Sequence, residues 1–483
     1  MRSLLAASLL LPMLAAAAET GKGAKAKGKA APPRRPNILL VMSDDQGWGD
    51  VGYNGHPHLQ TPHLDAAAAS GLRLDCFYSA APSCSPTRAS VLTGRHPNRM
   101  GVFSWGHALR PQETTLAELL KGAGYATAHF GKWHLGPVRS GSPVSPGAKG
   151  FDHWVSAENF FDLNPKLSDE GKETKFHGEG SMVVAELALD WIRQNASGEA
   201  PLFAAVWFGA PHLPHIAAPE LSALYQGRSK REREYFGEIT GLDCAFGRLR
   251  DGLAELGLRD DTLVWFCSDN GATPVGDTGD SRGGKHLLYE GGLRVPAFVE
   301  WPAGIPAGKS SPVRCGTVDI LPTVLELVGV PGAPGRVLDG ISLAPLFRGE
   351  MDQRPAPLGF WNAAVPGHFT NPAGLIGKVI PVDENWSVAK VERVTRRVEK
   401  TPKRRILGNG YIGHSAWISG DWKLHRLSLV PGEGARWSLY NLATDPRERR
   451  DLSKEHPEVL ADLSAELEQW LASVVASLEG ADY

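Results

Sequence analysis

With 483 residues, 42% of them hydrophobic, the chain can bury a sizeable core, and a formal net charge of −2 excludes a generally basic nucleic-acid-binding protein. Seven of the 51 lysines and arginines but only one of the 53 acids fall in the first 35 residues, so the rest, 44 basic against 52 acidic, carries about −8. Any anionic substrate must therefore be attracted locally.

Residues 1–18 read as a signal peptide. Arg2 precedes a mostly apolar run from Leu4 to Ala18 that is short for a membrane span and ends in small residues. Residues 19–35 form a flexible basic leader with almost no apolar content. The product is expected to be exported, to the periplasm or beyond the cell, without stable membrane insertion. The five cysteines match no zinc spacing. With Cys84 set aside, Cys76, Cys244, Cys267 and Cys315 are expected as buried free thiols.

Asn37 to Met42 is a continuous apolar run, predicted as a strand buried on both faces and ending at Ser43-Asp44-Asp45. Leu64 to Gly71 predicts a helix, and Leu72 to Tyr78 a strand leading towards Cys84. The stretch Pro82 to Arg95 reads as a helix start, with Ser85 as the cap, Pro86 at the first helical position and Gly94 at the exit. Cys84 is then placed just outside a helix N-terminus, where unpaired N–H groups and Arg88 favour an anion.

Thr115 to Glu118 is a capping box opening a helix to Lys121. A strand from Tyr125 to Phe130 follows, ending at Gly131-Lys132-Trp133-His134-Leu135-Gly136. Met182 to Ile192 has helical periodicity; Leu202 to Phe208 predicts a strand ending at Pro211-His212-Leu213-Pro214. A helix near Tyr235 to Leu256 precedes the strand Thr262 to Cys267, which ends at Ser268-Asp269-Asn270-Gly271. This alternation predicts an α/β fold with a large, mainly parallel sheet flanked by helices on both faces, over residues 36–350. Residues 351–483 read as an irregular insert, with a basic run from Lys390 to Arg405, and a smaller C-terminal subdomain. That subdomain has a short antiparallel sheet, from Trp417 to Arg426 and Trp437 to Asn441, and a helix from Pro457 to Ser477.

The polar groups at the strand exits fall into two chemical classes. Asp44, Asp45, Asp269 and the Asn270 carbonyl are hard oxygen donors, suited to Ca²⁺ or, less well, Mg²⁺ rather than zinc. Arg88, Lys132, His134, His212 and Lys285 are candidate cations.

In this order the segments resemble the type I sulfatases of the alkaline-phosphatase-like superfamily. The matching stretches are Asp44-Asp45-Gln46-Gly47, Cys84-Ser85-Pro86-Thr87-Arg88 with Leu92-Thr93-Gly94, Gly131 to Gly136, Pro211 to Pro214, Ser268 to Gly271, and Gly284-Lys285 leading to Glu290-Gly291-Gly292. The likeness runs from Pro36 to about Val330 and returns near Leu439-Tyr440-Asn441-Leu442 with Asp445 and Asp451. The family more often has Ser where Thr87 stands.

The resemblance implies that residues 36–350 are a catalytic domain and that a formylglycine-generating maturation enzyme oxidises Cys84 to Cα-formylglycine. It implies one Ca²⁺ on Asp44, Asp45, Asp269 and Asn270, together with an oxygen of the modified Cys84 or of the sulfate. Arg88 and Lys132 would hold the hydrated aldehyde. Lys285, Lys132 and His212 would contact sulfate, Lys285 or His212 would assist the leaving alcohol, and His134 would act as base. A further contact is expected beyond the His134 segment, at Ser156 or Asn159. The implied activity is hydrolysis of a sulfated carbohydrate or small aryl sulfate. Two alternatives stay open: a phosphomonoester or phosphonate ester hydrolase on the same fold, and a non-catalytic sulfoglycan-binding protein if Cys84 is unmodified.

Overall fold

The computed structural model describes residues 35–161, 163–363, 411–428 and 434–483, which belong to one unit. The expected signal peptide, all of the basic leader but Arg35, and the basic run from Lys390 to Arg405 lie outside these residues.

The apolar runs are strands. Among the described residues, the main sheet has ten strands in the order Lys309–Ser311, Leu72–Leu74, Ala297–Glu300, Thr262–Ser268, Asn37–Ser43, Leu202–Trp207, Ala126–Lys132, His153–Ala157, Lys166–Asp169, Lys172–Lys175. The five strands from Thr262–Ser268 to His153–Ala157 are mutually parallel, with Ile38 between Leu263 and Phe203. Towards both edges the pairing turns antiparallel, so the sheet is mixed, with a parallel centre.

Alternation along each central strand divides the core in two. Ile38, Leu40, Phe203, Trp207 and Trp265 pack on one face with the helices Cys84–Thr93, Leu116–Gly122 and Ile320–Val328. Leu39, Val41, Ala204, Val206 and Phe266 pack on the other with Pro62–Ser70, Gly180–Asn195 and Lys230–Glu255. The Thr115 capping box forms as expected, and a second, Ser229 with Glu232, opens the long helix five residues before the predicted start.

Two local expectations change. The stretch 72–78 is not one strand: Leu72–Leu74 joins the main sheet while Phe77–Tyr78 pairs with Cys315–Gly316. The break falls at Asp75, whose N–H donates to Ser311 O at 3.0 Å and whose carboxylate takes Arg73 Nε. The signature helix begins at Cys84 itself, with Ser83 as the N-cap and no side-chain cap; Ser85, the expected cap, lies inside the helix, where its Oγ accepts from Gly106 N–H at 2.7 Å.

The C-terminal part is an antiparallel sheet of Leu358–Asn362, Gly413–Ser419, Trp422–Ser428 and Arg436–Asn441, covered by the helix Pro457–Glu479. Asp445 and Asp451 are backbone acceptors here: Asp445 takes the Arg449 and Arg450 N–H groups and Asp451 that of Leu439, fixing the turn after the last strand. All five cysteines are free; Cys84, Cys267 and Cys315 are buried, Cys76 and Cys244 half-buried. No described helix is long and apolar enough to cross a membrane.

Candidate active site

Strand order decides what meets. The strands ending at Asp269-Asn270, Asp44-Asp45, the His212 loop and Lys132 are consecutive and parallel, so their carboxyl ends lie side by side. The helix Cys84–Thr93 brings Cys84 and Arg88 to the same place. Cys84 Sγ is 3.6 Å from Asp44 Oδ1 and 4.0 Å from Asp45 Oδ1. The structure carries the unmodified thiol, and Sγ marks where the oxygens of a modified side chain would lie.

Close packing at the strand exits explains the glycines of the motifs. A Cβ on Gly131, which has φ +92°, would run into the Trp207 carbonyl, and one on Gly271 into the Gly291 carbonyl. Lys132 and Asn270 thereby stay beside the neighbouring strand and the Glu290 turn. Asp45 and His134 also have positive φ, at 66° and 54°, which turns the chain sharply at the exits.

The ten sequence-predicted site residues converge. Arg88 sits fork-on to Asp269 Oδ2, with Nη2 at 2.7 Å and Nε at 3.1 Å, while its Nη1 donates to Lys132 O at 3.0 Å. Its guanidinium carbon lies 5.3 Å from the Trp207 ring centroid. Lys132 Nζ binds Asp44 Oδ2, and Lys285 Nζ lies 2.6 Å from Asp45 Oδ2. Asn270 Nδ2 donates to Asp45 Oδ1 at 2.8 Å, and Asp45 N–H to Asp269 Oδ1 at 3.1 Å. His212 Nδ1 is 2.6 Å from the Leu213 carbonyl and Nε2 3.5 Å from Asp45 Oδ2.

Burial sets the electrostatics. It opposes ionisation of Asp44, but Lys132 and His212 outweigh it and hold that carboxyl below its usual range. Asp269 is raised, by burial and then by Asp44 beside it, against the pull of Arg88. Burial pushes the Cys84 thiol well up, so a cysteine here is a poor thiolate nucleophile. His134 is held well below its ordinary value by burial and then by Lys132, Arg88, His212 and Lys285, and is neutral at physiological pH. Its Nδ1 is buried without a hydrogen-bond partner.

Asp44, Asp45, Cys84 and His212 each offer a ligand atom, all within 4.8 Å of one another. The chemistry of the donors fits a hard cation: three carboxylates converge, and the buried Asn270 Oδ1 is left without a hydrogen-bond partner, an acceptor with nothing to accept from.

Sequence reasoning missed Phe161, whose ring stacks on His212 with centroids 4.4 Å apart and planes 18° off parallel, and whose centroid is 5.5 Å from Lys132 Nζ. An aromatic in an irregular segment carries no periodic or motif signal. Ser156, a candidate further contact, is instead fully buried and hydrogen-bonded to His129 Nδ1 at 2.7 Å.

The sulfatase family model matches residues 36–330. The N-acetylgalactosamine-6-sulfatase of Sus scrofa is 36% identical over 368 residues, 68% of this chain and 69% of its own. The ulvan-active sulfatase of Formosa agariphila is 32% identical over 339 residues, 65% of this chain and 66% of its own. Among solved structures, that of Ps i-CgsB in complex with k-i-k-neocarrahexaose superposes with a TM-score of 0.75 at 24% identity, covering 90% of this chain and 93% of that one.

Proposed function

Because the chain belongs to the sulfatase family and is a sulfate-ester hydrolase, we propose that it removes sulfate from a sulfated carbohydrate with a formylglycine made from Cys84 and one bound Ca²⁺. The names of its relatives, acting on N-acetylgalactosamine 6-sulfate and ulvan, favour a glycan ester. The observation that carries the reading is the buried thiol of Cys84 facing Asp44 and Asp45, with the cations Arg88, Lys132 and Lys285 on the surrounding carboxylates. Maturation requires a formylglycine-generating enzyme as partner. Export to the periplasm or the outside is read from the signal peptide expected at residues 1–18.

Asp44, Asp45, Asp269 and Asn270 would hold the cation, and the orphaned Asn270 Oδ1 supports their fit. Ca²⁺, when bound, supplies positive charge against the oxygens of the transferring group. The formyl group, when present, supplies a hydrated nucleophile from which sulfate can depart without hydrolysis of a stable ester. Asp44, Asp45 and Asp269 are balanced by Arg88, Lys132 and Lys285, so a divalent ion brings the pocket to about +2, the sign an anionic ester needs.

Each chain residue then has a physical task. Arg88, gripped by Asp269 and backed by Trp207, is fixed and orients the side chain at position 84. Burial works against the charge on Lys285, but the Asp45 and Asp44 carboxylates facing it raise its pKa, so it stays charged as a proton donor and sulfate-oxygen partner. Lys132 shares that contact. His134, neutral and with an unpartnered nitrogen, is suited to take a proton. The Leu213 carbonyl fixes a proton on His212 Nδ1, turning Nε2 towards the centre, where His212 or Lys285 assists the departing alcohol.

The test compares sulfate and phosphate esters of the same alcohol, before and after chelation. We expect preferential sulfate release, lost on chelation and restored by Ca²⁺. A phosphate preference would overturn the reaction class, and full activity after thorough chelation would overturn the metal.

A further inference from the structure

Three large apolar side chains on segments joined to the site residues stand exposed, with no part in the chemistry above: Trp105 at 45%, Leu213 at 46% and Leu287 at 46%. Leu213 lends its carbonyl to His212, and Leu287 follows Lys285 by two residues. Trp105 arrives on a separate segment, 101–109, clamped at two points. Gly106 N–H donates to Ser85 Oγ at 2.7 Å, next to Cys84, and Leu109 N–H to Leu135 O at 2.9 Å, next to His134. The segment that carries Trp105 is therefore anchored both to the one that carries Cys84 and to the one that carries His134.

Its neighbours have found cover. Leu109 is in the core beneath the sheet and Phe103 packs with the C-terminal helix cluster, while Trp105 is the one residue of 101–109 in the exposed class. An indole left in water forgoes a large apolar burial, although a core lies within a few residues of it. A flat apolar ring on a segment anchored next to Cys84 and His134 matches a pyranose ester held in the charged pocket, since such an ester has an apolar C–H face and an anionic group on one carbon.

We infer that Trp105 is a stacking platform for the sugar ring that bears the sulfate, a specificity-determining residue that selects ring-borne esters while the charged floor holds the anion. This rests on the carbohydrate reading given above. The test uses the mature enzyme with N-acetylgalactosamine 6-sulfate and with ethyl sulfate, a primary ester without a ring. The readout is the ratio of kcat/KM for the sugar ester to that for ethyl sulfate. The ratio should fall about tenfold in Trp105→Ala and recover most of that loss in Trp105→Phe, which keeps a flat face. A partly unfolded variant lowers both rates and leaves the ratio alone, so misfolding does not mimic the effect. An unchanged ratio in Trp105→Ala, with a wild type that prefers the sugar ester, overturns the platform and leaves the carbohydrate reading intact. A wild type that cleaves ethyl sulfate as readily as the sugar ester overturns both.

Discussion

The thiol of Cys84 makes only long contacts, 3.6 Å and 4.0 Å, to two carboxylates, and the helix it opens uses the backbone of Ser83 as its cap. Its replacement by alanine should therefore abolish sulfate release while shifting stability by about 1 kcal/mol. Turnover in Cys84→Ala at the wild-type rate would refute the nucleophile. Asp269 behaves differently, since it serves both the proposed cation site and the fork of Arg88, with both side chains fully buried. Asp269→Asn should lose activity and also about 3–5 kcal/mol of stability, because it leaves Arg88 buried without its closest counter-charge. Thermal unfolding alongside rate measurement checks this; an inactive variant with wild-type stability would contradict the structural half.

At the scale of elements, the site was legible because chemistry sits at strand exits, and a buried parallel strand announces itself as an unbroken apolar run. Asn37–Ser43, Leu202–Trp207 and Thr262–Ser268 were read within a residue or two for that reason. The hairpin Lys166–Asp169 and Lys172–Lys175 was not, because two four-residue strands of mostly charged residues, with Leu167 as their one apolar side chain, have no apolar pattern to find. Nor could the sequence reveal how the C-terminal sheet supports the site. Lys423, fully buried on the strand Trp422–Ser428, bonds Glu290 Oε1 at 2.9 Å and Glu448 Oε1 at 3.1 Å, and Glu290 N–H donates to Glu448 Oε2 at 2.6 Å. Glu290 ends the turn that begins at Lys285. Lys423→Met strips two buried carboxylates of their shared cation and should cost about 3–5 kcal/mol, with a lower kcat/KM as the Lys285 segment loosens. An unchanged melting temperature would show that the network does not hold the turn.

For the whole molecule, acid stability offers a test of how its parts are joined. His96 follows the signature helix, and its buried ring lies edge-on to Trp470 at 4.9 Å with Nε2 3.2 Å from the Trp361 N–H, touching the C-terminal helix and sheet together. Burial lowers its pKa from 6.5 to about 3, outweighing the pull of Asp339. The unfolded chain therefore takes up a proton below pH 6.5 that the folded chain refuses until about pH 3. The resulting stability is complete above pH 6.5 and drains by about 1.4 kcal/mol per pH unit on acidification. His96→Gln removes this linkage, so its melting temperature should fall less steeply with acidification than that of the wild type. Equal slopes would show that His96 is not the group responsible.

The central claim is chemical and concerns one side chain. Mass spectrometry of the peptide spanning Cys84, taken from enzyme that is releasing sulfate, should find it lighter than the cysteine form and reactive towards a hydrazine, as an aldehyde is. An active preparation in which that peptide carries only the intact thiol would contradict the account.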